Sequence, residues 1–217
     1  AVRGQGGQNS IGPERDDNLG ALRTYELLKA MSVLRVDIGW LADNRNNSIV
    51  DFGLSKSAEE TFEFWDKNYT IKRMIRMVRA YKPDIIIPTF LDVNGQHGHH
   101  RSVTRATIEA YDKSNDPEMF PDDNFGPWKI SQIFLPAWSG GGGSYDDEED
   151  PPKATHSIDV GNFNHIYGGT YNQIGEWSRS YHATQNIGKL AYEDKMDVPL
   201  HLLKGTYVDG DITGGLI

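Results

Sequence analysis

Three of the seven histidines in this 217-residue chain, His97, His99 and His100, fall within four positions. They follow Ile85-Ile86-Ile87, a β-branched apolar run bounded by Pro83 and Pro88 that reads as a short buried strand. Asn94-Gly95 and Gly98 mark a turn-rich loop between strand and cluster. Beyond it Val103, Ala106, Thr107, Ala110 and Tyr111 recur at helical spacing, which places His99 and His100 near a helix start. The carboxyl end of such a strand, leading into a helix, is where open α/β sheets build sites. His97 and His100 are three apart and can face one point, whereas His99 between them points elsewhere. Neutral imidazole suits zinc, so one of the pair would ligate and the other would transfer protons or stabilise an oxyanion. With no cysteine, any metal must be held by histidine, carboxylate or carbonyl groups. One histidine pair does not complete such a site, and a chance structural cluster is the alternative.

Two further groups carry polar chemistry. Gly175, Arg179 and His182 recur at helical spacing, either as a functional stripe or as an exposed helix face. The opening stretch holds Gln5, Gln8 and Asn9, whose amides would bind a sugar or make a turn. Asp84 and Asp92 flank the strand, with Asp84 at the wrong end of it. Nothing matches a serine nucleophile elbow or a phosphate-binding loop.

The elements that must position these groups follow in order. Residues 1–18 read as a glycine-rich loop, either a frayed terminus or the continuation of a preceding segment. Leu19, Leu22, Leu27, Met31 and Leu34, widened by Leu28, predict a helix over 19–34. On it Arg23 and Glu26 would pair at the surface, and Arg23 alone reads as solvated. Ile49 to Phe52 predicts a strand, after a turn at 44–47. Ser57-Ala58-Glu59-Glu60 matches a capping box opening a short helix to about Trp65. A helix over 70–81 buries Ile71, Met74, Ile75 and Val78 and turns Lys72, Arg73, Arg76 and Arg79 to solvent. After the histidine helix, 129–135 and 157–160 read as strands around a Gly-rich, acidic insertion at 138–152. That insertion lacks the spaced ligands of a calcium loop and reads as solvated. Tyr171 to Thr184 predicts a helix with Tyr171, Ile174, Trp177 and Tyr181 buried. Residues 190–217 form an extension with weak periodicity and a loose end at 210–217.

Helix, strand, loop and helix in that order imply an α/β fold, a parallel sheet with helical crossovers, in a single domain over 1–217. The formal net charge of −9 argues against nucleic acid and anionic lipid as partners. No stretch approaches the roughly 20 apolar residues of a membrane span.

Several stretches together resemble the PIG-L/LmbE-like family of zinc-dependent N-acetylglucosaminyl de-N-acetylases. These are Arg3 to Asn9 with Ile11-Gly12-Pro13-Glu14, Leu22 to Leu28, Asp51 to Ser57, Lys82 to Ile86, His97-Gly98-His99-His100, and Ser178 to Gln185. The last is similar to a motif of the larger, bacterial-type branch. The resemblance implies a Rossmann-like parallel sheet flanked by helices and hydrolysis of the N-acetyl amide of a glucosamine-type sugar. By motif position, His100 resembles a Zn2+ ligand and His97 the histidine that assists at the tetrahedral intermediate. Arg23 resembles an arginine that contacts substrate, with Gln8, Asn9 and His182 near the sugar. The family's first motif, His-Pro-Asp-Asp-Glu, supplies the other ligands and the general base and lies upstream of the Arg3 stretch. The chain starts after it, so the expectation is a fragment without the N-terminal strand, binding zinc weakly by itself. The gap would be filled by the missing segment or by a neighbouring chain in a homo-oligomer. A processed N-terminus is consistent with a secreted or extracytoplasmic chain. The competing expectation is a non-catalytic carbohydrate-binding or self-assembling protein that retains the fold.

Overall fold

The computed structural model describes residues 2–42, 48–121, 124–138, 148–188 and 196–216. The turn expected at 44–47 and most of the insertion at 138–152 lie outside them. The fold is mixed α/β, a sheet with flanking helices. The helices are α1 (Asp16–Leu34), α2 (Ala58–Trp65), α3 (Lys67–Tyr81), α4 (Gly98–Lys113) and α5 (Tyr171–Ser180). The strands are β1 (Ile85–Ile86), β2 (Gln132–Pro136), β3 (His156–Asp159), β4 (Phe163–Asn164), β5 (Gly169–Thr170) and β6 (Asp197–Lys204). Four of them form one sheet in the order β1-β2-β6-β3, and β4 and β5 form a separate hairpin. Strand β1 runs parallel to β2, as the crossover through α4 requires. Strand β6 is antiparallel to β2, an addition to the parallel scheme that the weak periodicity after residue 188 did not announce.

Contacts group the chain into two compact units. The first comprises Ala1–Trp40, Val50–Gly53 and Ile158–Val198, and the second Leu41–Ile49, Leu54–Ser157 and Pro199–Ile217. In the second, α2, α3 and α4 pack around Ala58, Phe62, Ile71, Ile75, Val78, Ala106, Ala110 and Ile130. Ala106 and Ala110, four apart on α4, let the helices approach closely, and the Ser102 hydroxyl donates to the Ala58 carbonyl at 3.2 Å. Half of the capping box forms. Ser57 Oγ accepts from the Glu60 N–H at 3.0 Å, while the Glu60 carboxylate accepts from Lys56 N and Ser55 Oγ.

Arg79 departs from the solvated face predicted for it. It is 2% exposed, and its guanidinium donates to the carbonyls of Ser114, Asp116 and Phe120 beyond the C-terminus of α4. Cationic donors suit a helix C-terminus, where carbonyls lack partners. The tail at 205–216 is held rather than loose. The Gln132 side chain accepts from Thr206 N–H and donates to Thr206 O, and the Asp211 carboxylate gathers Thr213 and Gly215.

In the first unit α1 packs on α5, and Ser178 Oγ donates to the Ala30 carbonyl at 2.9 Å. The buried positions of α1 are Leu19, Gly20, Glu26 and Ala30, while Leu28 is exposed. Leu19 thus shares this face with Gly20, Ala30 and the polar Glu26, and is the one leucine of α1 fully buried. On α5, Ile174 is buried as expected, together with Ser178, while Tyr171, Trp177 and Tyr181 are exposed. Ile49 to Phe52 forms no strand. Asp51 Oδ1 instead accepts from the Gly53 N–H at 2.9 Å, closing a turn. No helix among the described residues is long and apolar enough to cross a membrane.

Candidate functional site

The histidine cluster lies in the second unit, at the junction predicted for it. His97 is the N-cap of α4, with extended backbone and no capping bond from its side chain. The capping work falls to the Gly98 N–H, which donates to the Ser55 carbonyl at 2.7 Å. A Cβ at Gly98 would collide with Ser55 Oγ and the Ser57 carbonyl, so a glycine between His97 and His99 lets the helix start seat against this wall. His99 is buried, at 5% exposure, against Trp65, with ring centroids 5.1 Å apart. It does not point away from His97. The two Nδ1 atoms are 2.9 Å apart and the rings stack at 4.6 Å.

His100 Nδ1 lies 3.1 Å from Oε1 of Gln96, itself 1% exposed. The His100 ring stacks on Phe90 at 3.9 Å with the planes 4° apart. Burial, then the neighbouring His97 and His99, hold the His100 pKa down to about 4, so the ring is neutral at pH 7. The loop leading to the cluster is tied to α4 by Asp92, which accepts from Arg101 Nε at 2.9 Å and Arg105 Nε at 2.8 Å. Arg101 also donates to the Lys56 carbonyl at 3.0 Å. Sequence reasoning missed Gln96 and Arg101. The four-residue step from Gln96 to His100, the reach of one helical turn, was the available signal for the first.

Zinc sites use three protein ligands or more. Among the described residues no three His, Asp or Glu side chains are grouped so as to hold a metal ion. His100 suits a single donor, a neutral ring with its Nδ1 engaged, but the described residues do not complete a zinc site.

The remaining predicted residues lie in the first unit. Arg23 holds the opening loop: Nη1 donates to the Gly4 carbonyl at 2.8 Å, Nη2 to the Gln8 carbonyl at 2.7 Å and Nε to Thr184 Oγ1 at 3.3 Å. Gly4 has φ +74°, and a Cβ at Gly7 would strike the Arg23 guanidinium, so glycines let the loop wrap this side chain. Glu26 is buried and accepts from Thr184 N at 2.8 Å and Thr184 Oγ1 at 2.7 Å. Arg23 and Glu26 thus meet through Thr184 rather than pairing at the surface. Asn9 closes its own turn, with Oδ1 accepting from Ile11 N and Gly12 N and Nδ2 donating to Glu14 Oε2. Gln8 contributes its backbone carbonyl, and its side chain is exposed. His182 is half-buried beside a cavity of about 440 Å³ lined also by Ile11, Ser180, Ala183, Asn186, Ile187 and Gly188. Burial lowers its pKa, against the pull of Glu26. Arg179 pairs with Glu176 at 2.8 Å.

A family model described as GlcNAc-PI de-N-acetylase matches residues 1–111. The chain is 29% identical over 132 residues to the 1D-myo-inositol 2-acetamido-2-deoxy-alpha-D-glucopyranoside deacetylase of Streptomyces scabiei, covering 57% of this chain and 39% of that protein. It is 26% identical over 119 residues to a mycothiol S-conjugate amidase of Streptomyces coelicolor, covering 51% and 38% respectively. The matches therefore span about two fifths of these relatives' lengths. In fold, it is similar to the conserved protein TT1542 from Thermus thermophilus, with a TM-score of 0.53 at 10% identity over 87% of this chain and 75% of that one.

Proposed function

The chain belongs to the PIG-L, GlcNAc-PI de-N-acetylase, family, and from that premise we propose that it hydrolyses the N-acetyl amide of a glucosamine-type sugar. Water adds to the amide carbonyl, the C–N bond breaks, and acetate and the free amine leave. The observation that carries this reading is the half-buried histidine cluster at the start of α4, inside the segment the family model matches. The names of the matched relatives, a deacetylase of a 2-acetamido sugar and an amidase, support amide hydrolysis.

In this proposal His97, whose side chain is not spent on capping, stabilises the oxyanion or protonates the departing amine. Arg23 enters as the residue that shapes the loop bearing Gln8 and Asn9. Zinc dependence belongs to the proposal, with His100 as the donor from this segment, and the metal when bound would polarise the carbonyl. The described residues do not by themselves complete a zinc site.

The test is acetate release by the full-length protein from 1D-myo-inositol 2-acetamido-2-deoxy-alpha-D-glucopyranoside, before and after chelation and zinc addition. His97→Ala should lower kcat by about 10²–10⁴-fold, the range for a general acid or base, with KM little changed. No acetate from the full-length, zinc-supplemented protein at saturating substrate would refute the function. Full activity in chelator would refute the metal alone.

A further inference from the structure

We propose that Gln96 is a positioning residue that fixes the tautomer of His100. The inference rests on the reading of His100 as a site residue. Gln96 is 1% exposed, and its Oε1 lies 3.1 Å from His100 Nδ1. An amide oxygen only accepts, so the neutral ring must carry its proton on Nδ1 and its lone pair on Nε2. An imidazole in water is under no such constraint. Two further contacts keep the ring in place. Phe90 stacks on it at 3.9 Å with the planes 4° apart, which resists rotation about the ring axis. The Gln96 N–H donates to the Val93 carbonyl at 3.3 Å, closing the turn that brings the amide back over the first turn of α4.

The placement has a chemical consequence. A histidine that acts through Nε2 gains from a partner on Nδ1, because the partner sets both tautomer and ring orientation. A carboxylate at position 96 would do this too, but would draw a second proton onto the ring and remove the lone pair. The neutral amide fixes the tautomer without charging the ring. His97 also meets its neighbour through Nδ1, 2.9 Å from His99 Nδ1. Between two imidazoles either ring can donate, so that pair does not fix a tautomer as the amide does.

The test is a long-range ¹H–¹⁵N correlation spectrum of the histidine rings in the metal-free, ¹⁵N-labelled protein at pH 7. The His100 signals should show a pyrrole-type Nδ1 and a pyridine-type Nε2. Gln96→Met, of similar length but without the amide, should shift His100 to a mixture containing Nε2–H. Gln96→Glu, which keeps an acceptor, should retain the proton on Nδ1 whether or not the ring also charges. A pyridine-type Nδ1 in the wild-type spectrum overturns the proposal, as does an unchanged Nδ1–H tautomer in a folded Gln96→Met. Should Gln96→Met fail to fold, the wild-type and Gln96→Glu spectra still decide it. The measurement needs no turnover, so absence of deacetylase activity would leave this result intact, and the reverse also holds.

Discussion

Replacing Arg79 by methionine should cost this protein about 3 kcal/mol of stability. The guanidinium is 2% exposed and donates at 3.1 Å to Ser114 O, at 2.7 Å to Asp116 O and at 3.4 Å to Phe120 O. Hydrogen bonds from a charged donor contribute roughly 1.5–3 kcal/mol each. The longest of the three adds little, so the two shorter ones together represent about 3–6 kcal/mol. Methionine fills much of the same space and returns about 1 kcal/mol through its apolar stem. The carbonyls left behind border the C-cap of α4, where helix and connection must otherwise find water. A net loss of about 3 kcal/mol corresponds to a fall in Tm of roughly 6–12 °C for a chain of this length. Arg79→Lys should recover part of the loss, since one ammonium reaches some but not all of three divergent carbonyls. Urea unfolding followed by far-UV circular dichroism, with thermal melts alongside, measures both variants. A methionine variant within about 0.5 kcal/mol of wild type would mean a solvated guanidinium, the assignment its place among the basic residues of α3 first suggested.

Two other perturbations are expected to be equally readable. Thr184→Val keeps the shape but removes the hydroxyl that donates to Glu26 and accepts from Arg23, which should cost about 2 kcal/mol in urea unfolding. The His100 pKa lies at about 4 in the fold against an ordinary 6.5, so folding favours the neutral ring. The associated stability, about 3 kcal/mol, is present above pH 6.5 and lost as the pH falls through 4. Acid titration of the metal-free protein beside His100→Gln should show this slope in the wild type and a flatter one in the variant.

The helices were the legible part of the fold, because α3 and α4 each carry one apolar stripe and Ser57 marks the start of α2. Their buried polar faces were less so. The leucines of α1 are spread around its axis, and the contact with α5 includes the Ser178 hydroxyl on the Ala30 carbonyl, residues to which a hydrophobic pattern gives little weight. Arg79 was misread for a related reason. Its type signals solvent, and only the position of the α4 C-terminus reveals three carbonyls waiting for a donor. Strand β6 escaped notice because it is mostly half-buried, with Leu200 alone fully inside.

The histidine cluster shows where spacing alone stops. Three-apart spacing pairs His97 with His100 across a loop-to-helix junction and leaves His99 aside, whereas the His97 ring meets both, its centroid 5.6 Å from that of His100 and 4.6 Å from that of His99. His97 is the N-cap, with ψ 135°, so its side chain leaves the helix axis at a different angle from the two that follow. That one extended residue brings His97 Nδ1 to 2.9 Å from His99 Nδ1 and leaves His100 to Gln96. Gly98 makes it workable, since any side chain there would collide with Ser55 and the Ser57 carbonyl and push the helix start outward. His97-Gly98-His99-His100 is therefore a helix start that gathers all three rings. Its ring orientations are set by the extended backbone of His97, which spacing does not encode, and by the buried Gln96 amide, at which the four-residue step to His100 only hints.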